Sequence, residues 1–275
     1  MPPQTLPDFM QATRIDHCFE NLRKRGAKGF IAYITAGDPD LDATYERVKL
    51  LEEKGVDLIE IGIPFSEPLA DGAANQRAAE RALASGTTFE GILKVVRKIR
   101  ETSEIPLVFF SYLNPLFVRG FEKSVSLAKE AGVDGMLLVD LSLEESEPYS
   151  KALEEAGLNH VVLITPTTPD TRMEGLLQSA SGFVYCVSRA GVTGEQTELQ
   201  KEAASVLERA GRYTDLPLAL GFGVSTPEQA SIYAGMSDAV VVGSSIVNTF
   251  HQAGNTPEGR KAAAEKISML IQAVN

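Results

Sequence analysis

Residues 54–63 read KGVDLIEIGI, a helix end, a turn and an apolar strand in one short stretch. Glycine closes a helix in a left-handed conformation that other residues avoid, and aspartate turns the chain into the next strand. The same punctuation recurs as AGVD before Gly135, AGLN before His160 and GMSD before Ala239. Working outward from these turns, short apolar runs occupy 30–35 (FIAYIT), 57–63 (DLIEIGI), 107–112 (LVFFSY), 135–139 (GMLLV), 160–165 (HVVLIT), 183–187 (FVYCV), 218–220 (LAL) and 239–242 (AVVV). Each is strand-sized and nearly continuous in hydrophobicity, the pattern of strands buried on both faces of a parallel sheet. Amphipathic stretches such as 42–54, 88–100, 123–131, 143–156 and 196–210 read as helices between them. Eight strands, each but the last followed by a helix-length segment, predict an α/β fold, a (β/α)8 TIM barrel, ahead of an open doubly wound sheet. The segment 14–26 (RIDHCFENLRKRG) adds an N-terminal helix expected to cover the bottom of the barrel.

The chain has 275 residues, and its 26 basic against 37 acidic side chains leave a formal charge of −11. A barrel commonly takes about 250 residues and no linker divides this chain, so residues 1–275 are expected to form a single domain. Hydrophobic residues at 44% place it in the globular class rather than the disordered or fibrous ones. No run approaches the roughly 20 apolar residues of a membrane span, the N-terminus lacks a leader pattern, and a cytoplasmic protein is expected. A net negative chain without a basic tract is a poor partner for nucleic acid, so an anionic ligand must be held by local donors. Cys18 and Cys186 lack CxxC spacing and read as free, inert thiols. His17, His160 and His251 are too scattered for a metal cluster.

In a barrel the chemistry sits where the strands end, and the segment 59–76 (IEIGIPFSEPLADGAANQ) is the richest such end. Alternation puts Glu60 on the face opposite Ile59 and Ile61, which is the lumen, where desolvation raises a carboxylic pKa toward that of a general acid–base group. The competing reading is a structural acid paired with an arginine or a backbone amide. Asp71 precedes Gly72 and on spacing alone reads as a turn, and Glu67 reads as a solvated loop charge. Glycines cluster at the ends of the last three strands, in 188–195 (SRAGVTGE), 221–225 (GFGVS) and 242–246 (VGSSI). The segments after Gly223 and Gly243 each run into a helix whose first amides suit an anion, at the place where barrels hold phosphate. A bulky residue at Gly243 is therefore expected to raise KM steeply, while Gly-to-Ala on an outer helix, such as at Gly91, is not. No lysine lies in a predicted strand and no metal spacing occurs, which leaves carboxylate chemistry on a phosphorylated metabolite, with no cofactor and no metal. Tyr33 and Tyr112 share the acid's face by alternation and suit a flat aromatic slot.

The run 59–73 (IEIGIPFSEPLADGA), with AGDPD at 36–40, SRAGVTG, GFGVS and VGSSIV downstream, resembles the tryptophan synthase α subunit family, in the family's motif order from about residue 15 to the C-terminal helix. The resemblance implies cleavage of indole-3-glycerol phosphate to indole and glyceraldehyde 3-phosphate, with indole passed to a β subunit in an α2β2 complex. It implies Glu60 and Asp71 as the catalytic pair and phosphate binding at Gly194, Phe222, Gly223, Gly243 and Ser244. It further implies an indole pocket of Tyr33, Phe110, Tyr112, Leu137 and Tyr185, and closure of the loops 64–75 and 188–197 through Asp71 and Thr193. Two positions depart from the family pattern: SEP in place of SDP, at Glu67, and DGA in place of DGP, at Ala73. Both bear on loop stiffness and partner coupling rather than on the catalytic pair. A regulatory subunit without turnover, and a phosphate-dependent barrel lyase or isomerase without a partner, remain as alternatives.

Overall fold

The computed structural model describes residues 12–187, 196–221, 223–254 and 256–275. The strands are β1 (Gly29–Thr35), β2 (Leu58–Gly62), β3 (Leu107–Ser111), β4 (Gly135–Leu138), β5 (Asn159–Ile164), β6 (Val184–Val187), β7 (Leu218–Gly221) and β8 (Ala239–Val242). The helices through the first half are α1 (Arg14–Arg25), α2 (Leu41–Glu53), α3 (Ala73–Ala84), α4 (Phe89–Arg100), α5 (Leu113–Phe117) and α6 (Phe121–Ala131). After a single 3-10 turn (Leu143–Glu145) come α7 (Ser146–Glu155), α8 (Asp170–Gln178), α9 (Gln196–Ala210), α10 (Pro227–Ala234), α11 (Ser244–Ala253) and α12 (Pro257–Val274). No described helix is long and apolar enough to cross a membrane.

All eight strands are parallel and pair in chain order, and β8 closes on β1 with Ala32 opposite Val242. Closure excludes the open sheet and makes this a (β/α)8 barrel. The helix expected before Phe30 is α1. Thr13 caps it in a capping box with Asp16, Gly26 ends it at φ 61°, and Ile15, Phe19 and Leu22 form its buried stripe. That stripe packs on the inward side chains Ile31, Leu58, Val108, Leu137, Val161 and Phe183, so α1 plugs the lumen from below.

The acids before β2, β4 and β8 have a job beyond turning the chain. Asp57 accepts the backbone N–H of Phe30 at 2.8 Å, Asp134 that of Leu107 at 2.8 Å, and Asp238 that of Leu218 at 2.9 Å. Each carboxylate thus clips the start of its own strand to the start of the previous one, a charge-assisted bond that fixes register. The paired glycines at 55, 132 and 157 have positive φ, as the punctuation predicts, whereas Gly235 ends α10 in a right-handed conformation at φ −64°.

Candidate active site

Two consequences of register build the site. Tyr33 lies opposite Glu60 across β1 and β2, and Phe110 lies opposite Gly62 on one side and Leu137 on the other. All are inward positions, so the upper lumen holds a carboxyl ringed by aromatic side chains.

Glu60 is fully buried, and neither carboxyl oxygen has a hydrogen-bond partner among the described residues. No arginine or amide among the described residues holds it, as a buried structural acid would require. Desolvation alone, with no compensating donor, pushes its pKa up to about 8, so near neutrality it holds a proton and can release and regain it. Burial drives the Tyr33 and Tyr185 phenols away from ionisation, and the nearby carboxyl groups, Asp71 for Tyr33 and Glu60 for Tyr185, act in the same direction when ionised. Tyr33 meets Phe110 edge to face at 5.2 Å. Leu137 is fully covered among Val108 and Val161, so it is a floor beneath the aromatic side chains rather than an open wall.

Asp71 stands one residue before Gly72, the N-cap of α3, and is half-buried. The turn reading holds, since the segment leads into a helix, and the carboxylate points at Tyr112. The Tyr112 hydroxyl donates to Asp71 Oδ2 at 3.0 Å and accepts the Ala70 N–H at 2.8 Å. Burial raises the Asp71 pKa, and hydrogen bonds from Tyr112 and Asn75 oppose that rise. Phe65 packs on Tyr112 at 5.3 Å. Helix α3 itself buries only alanines, Ala74, Ala78, Ala79 and Ala82, and is oriented by Arg81, whose guanidinium grips buried Asp38 at 2.7 and 2.9 Å. Glu67 is exposed and makes no ion pair among the described residues, and Ala73 is the first residue of α3, the position where proline is most at home.

At the anion end the two helices differ. Gly243 is the N-cap of α11 and supplies no side-chain cap, so the first amides of that helix are open. The expectation of a second open helix after Gly223 is corrected: Thr226 and Gln229 form a capping box on α10, and Gln229 also accepts the Ser225 N–H at 2.9 Å. Those donors are already satisfied, which leaves Gly223, at φ 73° with open space where a Cβ would stand, to contribute loop backbone. Gly194, Thr193 and Phe222 lie outside the described residues, as does most of the loop 188–197.

Sequence reading missed several supports. A Cβ on Gly62 would stand 2.2 Å from the Tyr33 hydroxyl, and one on Gly221 2.5 Å from that of Tyr185. Glycine inside a strand marks such a close approach and was the available signal. Asn75 and Gln76 on α3 were also missed; Gln76 donates to the Asp71 carbonyl at 2.9 Å. Gly91 is no free outer position, because its Cβ would meet Leu41 Cδ1 at 2.6 Å where α4 packs on α2. The thiols are as expected, with burial pushing Cys18 and Cys186 up to about 12. A cavity of about 360 Å³ lies apart from both acids, between β4, β5 and α8, lined in part by Leu138, Leu143, His160, Thr168 and Leu176.

The sequence profile of the family described as tryptophan synthase alpha chain matches residues 19–274. The tryptophan synthase alpha chain of Solibacter usitatus is 47% identical over 240 residues, 87% of this chain and 90% of that one. That of Caldanaerobacter subterraneus subsp. tengcongensis is 42% identical over 257 residues, 94% and 98% of the two chains. Among solved structures, tryptophan synthase subunit alpha from Legionella pneumophila superposes with a TM-score of 0.89 at 36% identity, covering 96% of this chain and 99% of that one. A chain from the tryptophan synthase α2β2 complex of Pyrococcus furiosus does so with a TM-score of 0.83 at 36% identity, covering 90% and 99%.

Proposed function

The chain belongs to the tryptophan synthase alpha chain family, and from that membership and the geometry of its lumen we propose that Glu60 and Asp71 are the groups with which it cleaves indole-3-glycerol phosphate to indole and glyceraldehyde 3-phosphate. The observation that carries this reading is Glu60, a fully buried carboxyl without a partner whose pKa is pushed to about 8. The carbon–carbon bond breaks only after indole C3 accepts a proton and the ring becomes an electron sink. Protonated Glu60 gives that proton. The resulting carboxylate then takes the proton of the adjacent glycerol hydroxyl, whose oxygen becomes the aldehyde carbonyl as the bonding pair returns to the ring. Glu60 ends as it began, protonated, and the atoms of the substrate are divided between the two products.

Asp71 accepts the indole N–H and stabilises the positive charge that develops on that nitrogen, a role that needs it ionised. Tyr33, Phe110, Tyr112 and Tyr185 form the walls of the indole slot, with Leu137 as its floor. The phosphate is held by backbone donors at Gly194, Phe222, Gly223, Gly243 and Ser244, the amides of α11 foremost. Closure brings Thr193 to Asp71 and shuts out water.

Indole passes to a β subunit in an α2β2 complex of the kind described for the Pyrococcus furiosus protein. The rim supports such a partner: Leu69, Phe117 and Val118 are 87%, 60% and 70% exposed, and they follow the neighbouring strands β2 and β3. Large apolar side chains grouped at one rim mark an interaction surface. The same reading takes residues 1–275 as one domain and places the chain in the cytoplasm, as a biosynthetic enzyme with two unpaired cysteines. Release of indole from indole-3-glycerol phosphate, assayed on the isolated chain and again with added β subunit, tests it. Turnover that rises with the partner is expected. No turnover in either case would leave a regulatory subunit, and turnover indifferent to the partner would leave a free-standing lyase.

A further inference from the structure

Asn75 is the third residue of α3, and its single carboxamide faces two parts of the site that are far apart in sequence. On one side the Ser244 hydroxyl, at the start of α11, donates to Asn75 Oδ1 at 3.5 Å. On the other, one helical turn back along the chain, is Asp71, whose charged form the Asn75 side chain favours. The chemistry fixes the orientation: a carboxylate only accepts, so the amide nitrogen must face Asp71 and the oxygen must face Ser244. The two helices are held together at this point, since Ala78 of α3 and Val247 of α11 pack with Tyr33 in one cluster, and a Cβ on Gly72 would stand 3.8 Å from the Ser244 hydroxyl.

We propose that Asn75 is a positioning residue that couples occupancy of the anion end at Gly243 and Ser244 to the placement of Asp71. The inference rests on the assignment of Asp71 and Ser244 made above and adds the link between them. A phosphate on the α11 amides offers the Ser244 hydroxyl a charged acceptor, which outcompetes a neutral amide oxygen. Released from Ser244, the Asn75 carboxamide turns wholly to Asp71 and, with Tyr112, holds that carboxylate where the indole N–H will arrive. Binding energy from the non-reacting phosphate is thereby used at the reacting end, so losing the link lowers kcat more than it raises KM.

The test separates the phosphate from the rest of the substrate. Indole-3-glycerol, which lacks the phosphate, is supplied with and without saturating inorganic phosphate, and indole release is measured. In the unaltered chain phosphate is expected to accelerate cleavage by about tenfold or more. In Asn75→Leu, which keeps the bulk and removes both polar ends, that acceleration should fall below about twofold, while inorganic phosphate still competes with indole-3-glycerol phosphate within about threefold of its original inhibition constant. Ser244→Ala gives an independent check, because it frees Asn75 permanently: phosphate-free cleavage should rise toward the phosphate-activated rate and lose its response to phosphate. Equal acceleration in Asn75→Leu and the unaltered chain overturns the coupling. Competition by phosphate without any acceleration in the unaltered chain also overturns it and leaves the phosphate site standing. Absence of competition removes the phosphate site and the coupling together.

Discussion

Glu60→Gln replaces a carboxyl that ionises in the lumen with a group of the same shape that never does, so stability as well as turnover should report the change. Between pH 4.5, the ordinary value, and about 8, the folded chain keeps a proton that the unfolded chain has released. Stability from this group is therefore greatest below pH 4.5, falls as pH rises through the window and levels off above about 8. The gap between 4.5 and about 8, at about 1.4 kcal/mol per pKa unit, corresponds to about 3 kcal/mol lost by pH 7 and about 5 kcal/mol by pH 9. Glutamine does not incur this loss. It does bury a carboxamide among groups that offer it no partner, at about 1–3 kcal/mol, but that penalty is independent of pH. Urea unfolding of both chains at closely spaced pH values between 4 and 9 isolates the effect as the difference in unfolding free energy, variant minus wild type. The difference should climb by about 5 kcal/mol across the range, so that the variant gains relative stability as the medium becomes alkaline. A difference flat within about 1 kcal/mol would mean that Glu60 is solvated or paired, and the shuttle would lose its physical basis.

Gly243→Val should raise KM about tenfold or more with kcat little changed, because a Cβ alone fits, 3.5 Å from that of Tyr33, but a branched side chain crowds the open amides of α11. Gly211→Ala, where a Cβ makes only ordinary contacts, is the control, and steady-state kinetics compare the two. Tyr112→Phe removes a donor to Asp71 and the acceptor for Ala70, so the Asp71 pKa rises further; the acid limb of the pH–rate profile should move to higher pH, with turnover reduced on that limb and recovering as pH increases. Thr193→Val keeps the shape and removes the hydroxyl, and should lower turnover and β-subunit activation together, as read from indole release with and without the partner.

The barrel was legible because its strands are covered on both faces, which writes them as apolar runs, and because a period of two allots Glu60, Tyr33 and Phe110 to one side of the wall. Strand ends agreed to within a residue or so: Asp57 and Ile63, read as strand, lie just outside β2, where Asp57 is occupied as a clip on Phe30. Helix α3 was harder to read, since its buried face is alanine throughout, with no large apolar side chain to mark it. The pairing of Asp71 with Tyr112 spans 41 residues and depends on where a turn aims a side chain, which no local pattern records. The sequence 226–229 (TPEQ) carried a capping box in plain view, yet glycines nearby drew it into the anion site; its own side chains had already taken the donors.

If one carboxyl moves both protons, indole release by Glu60→Gln, saturated with indole-3-glycerol phosphate, must be far slower than in the unaltered chain. Glutamine keeps the volume and the aromatic surroundings but cannot exchange a proton, so kcat should fall by about three orders of magnitude while KM stays within a few fold. Cleavage retained within about tenfold, or about 1.4 kcal/mol in barrier height, would show that the proton reaches indole C3 from another group.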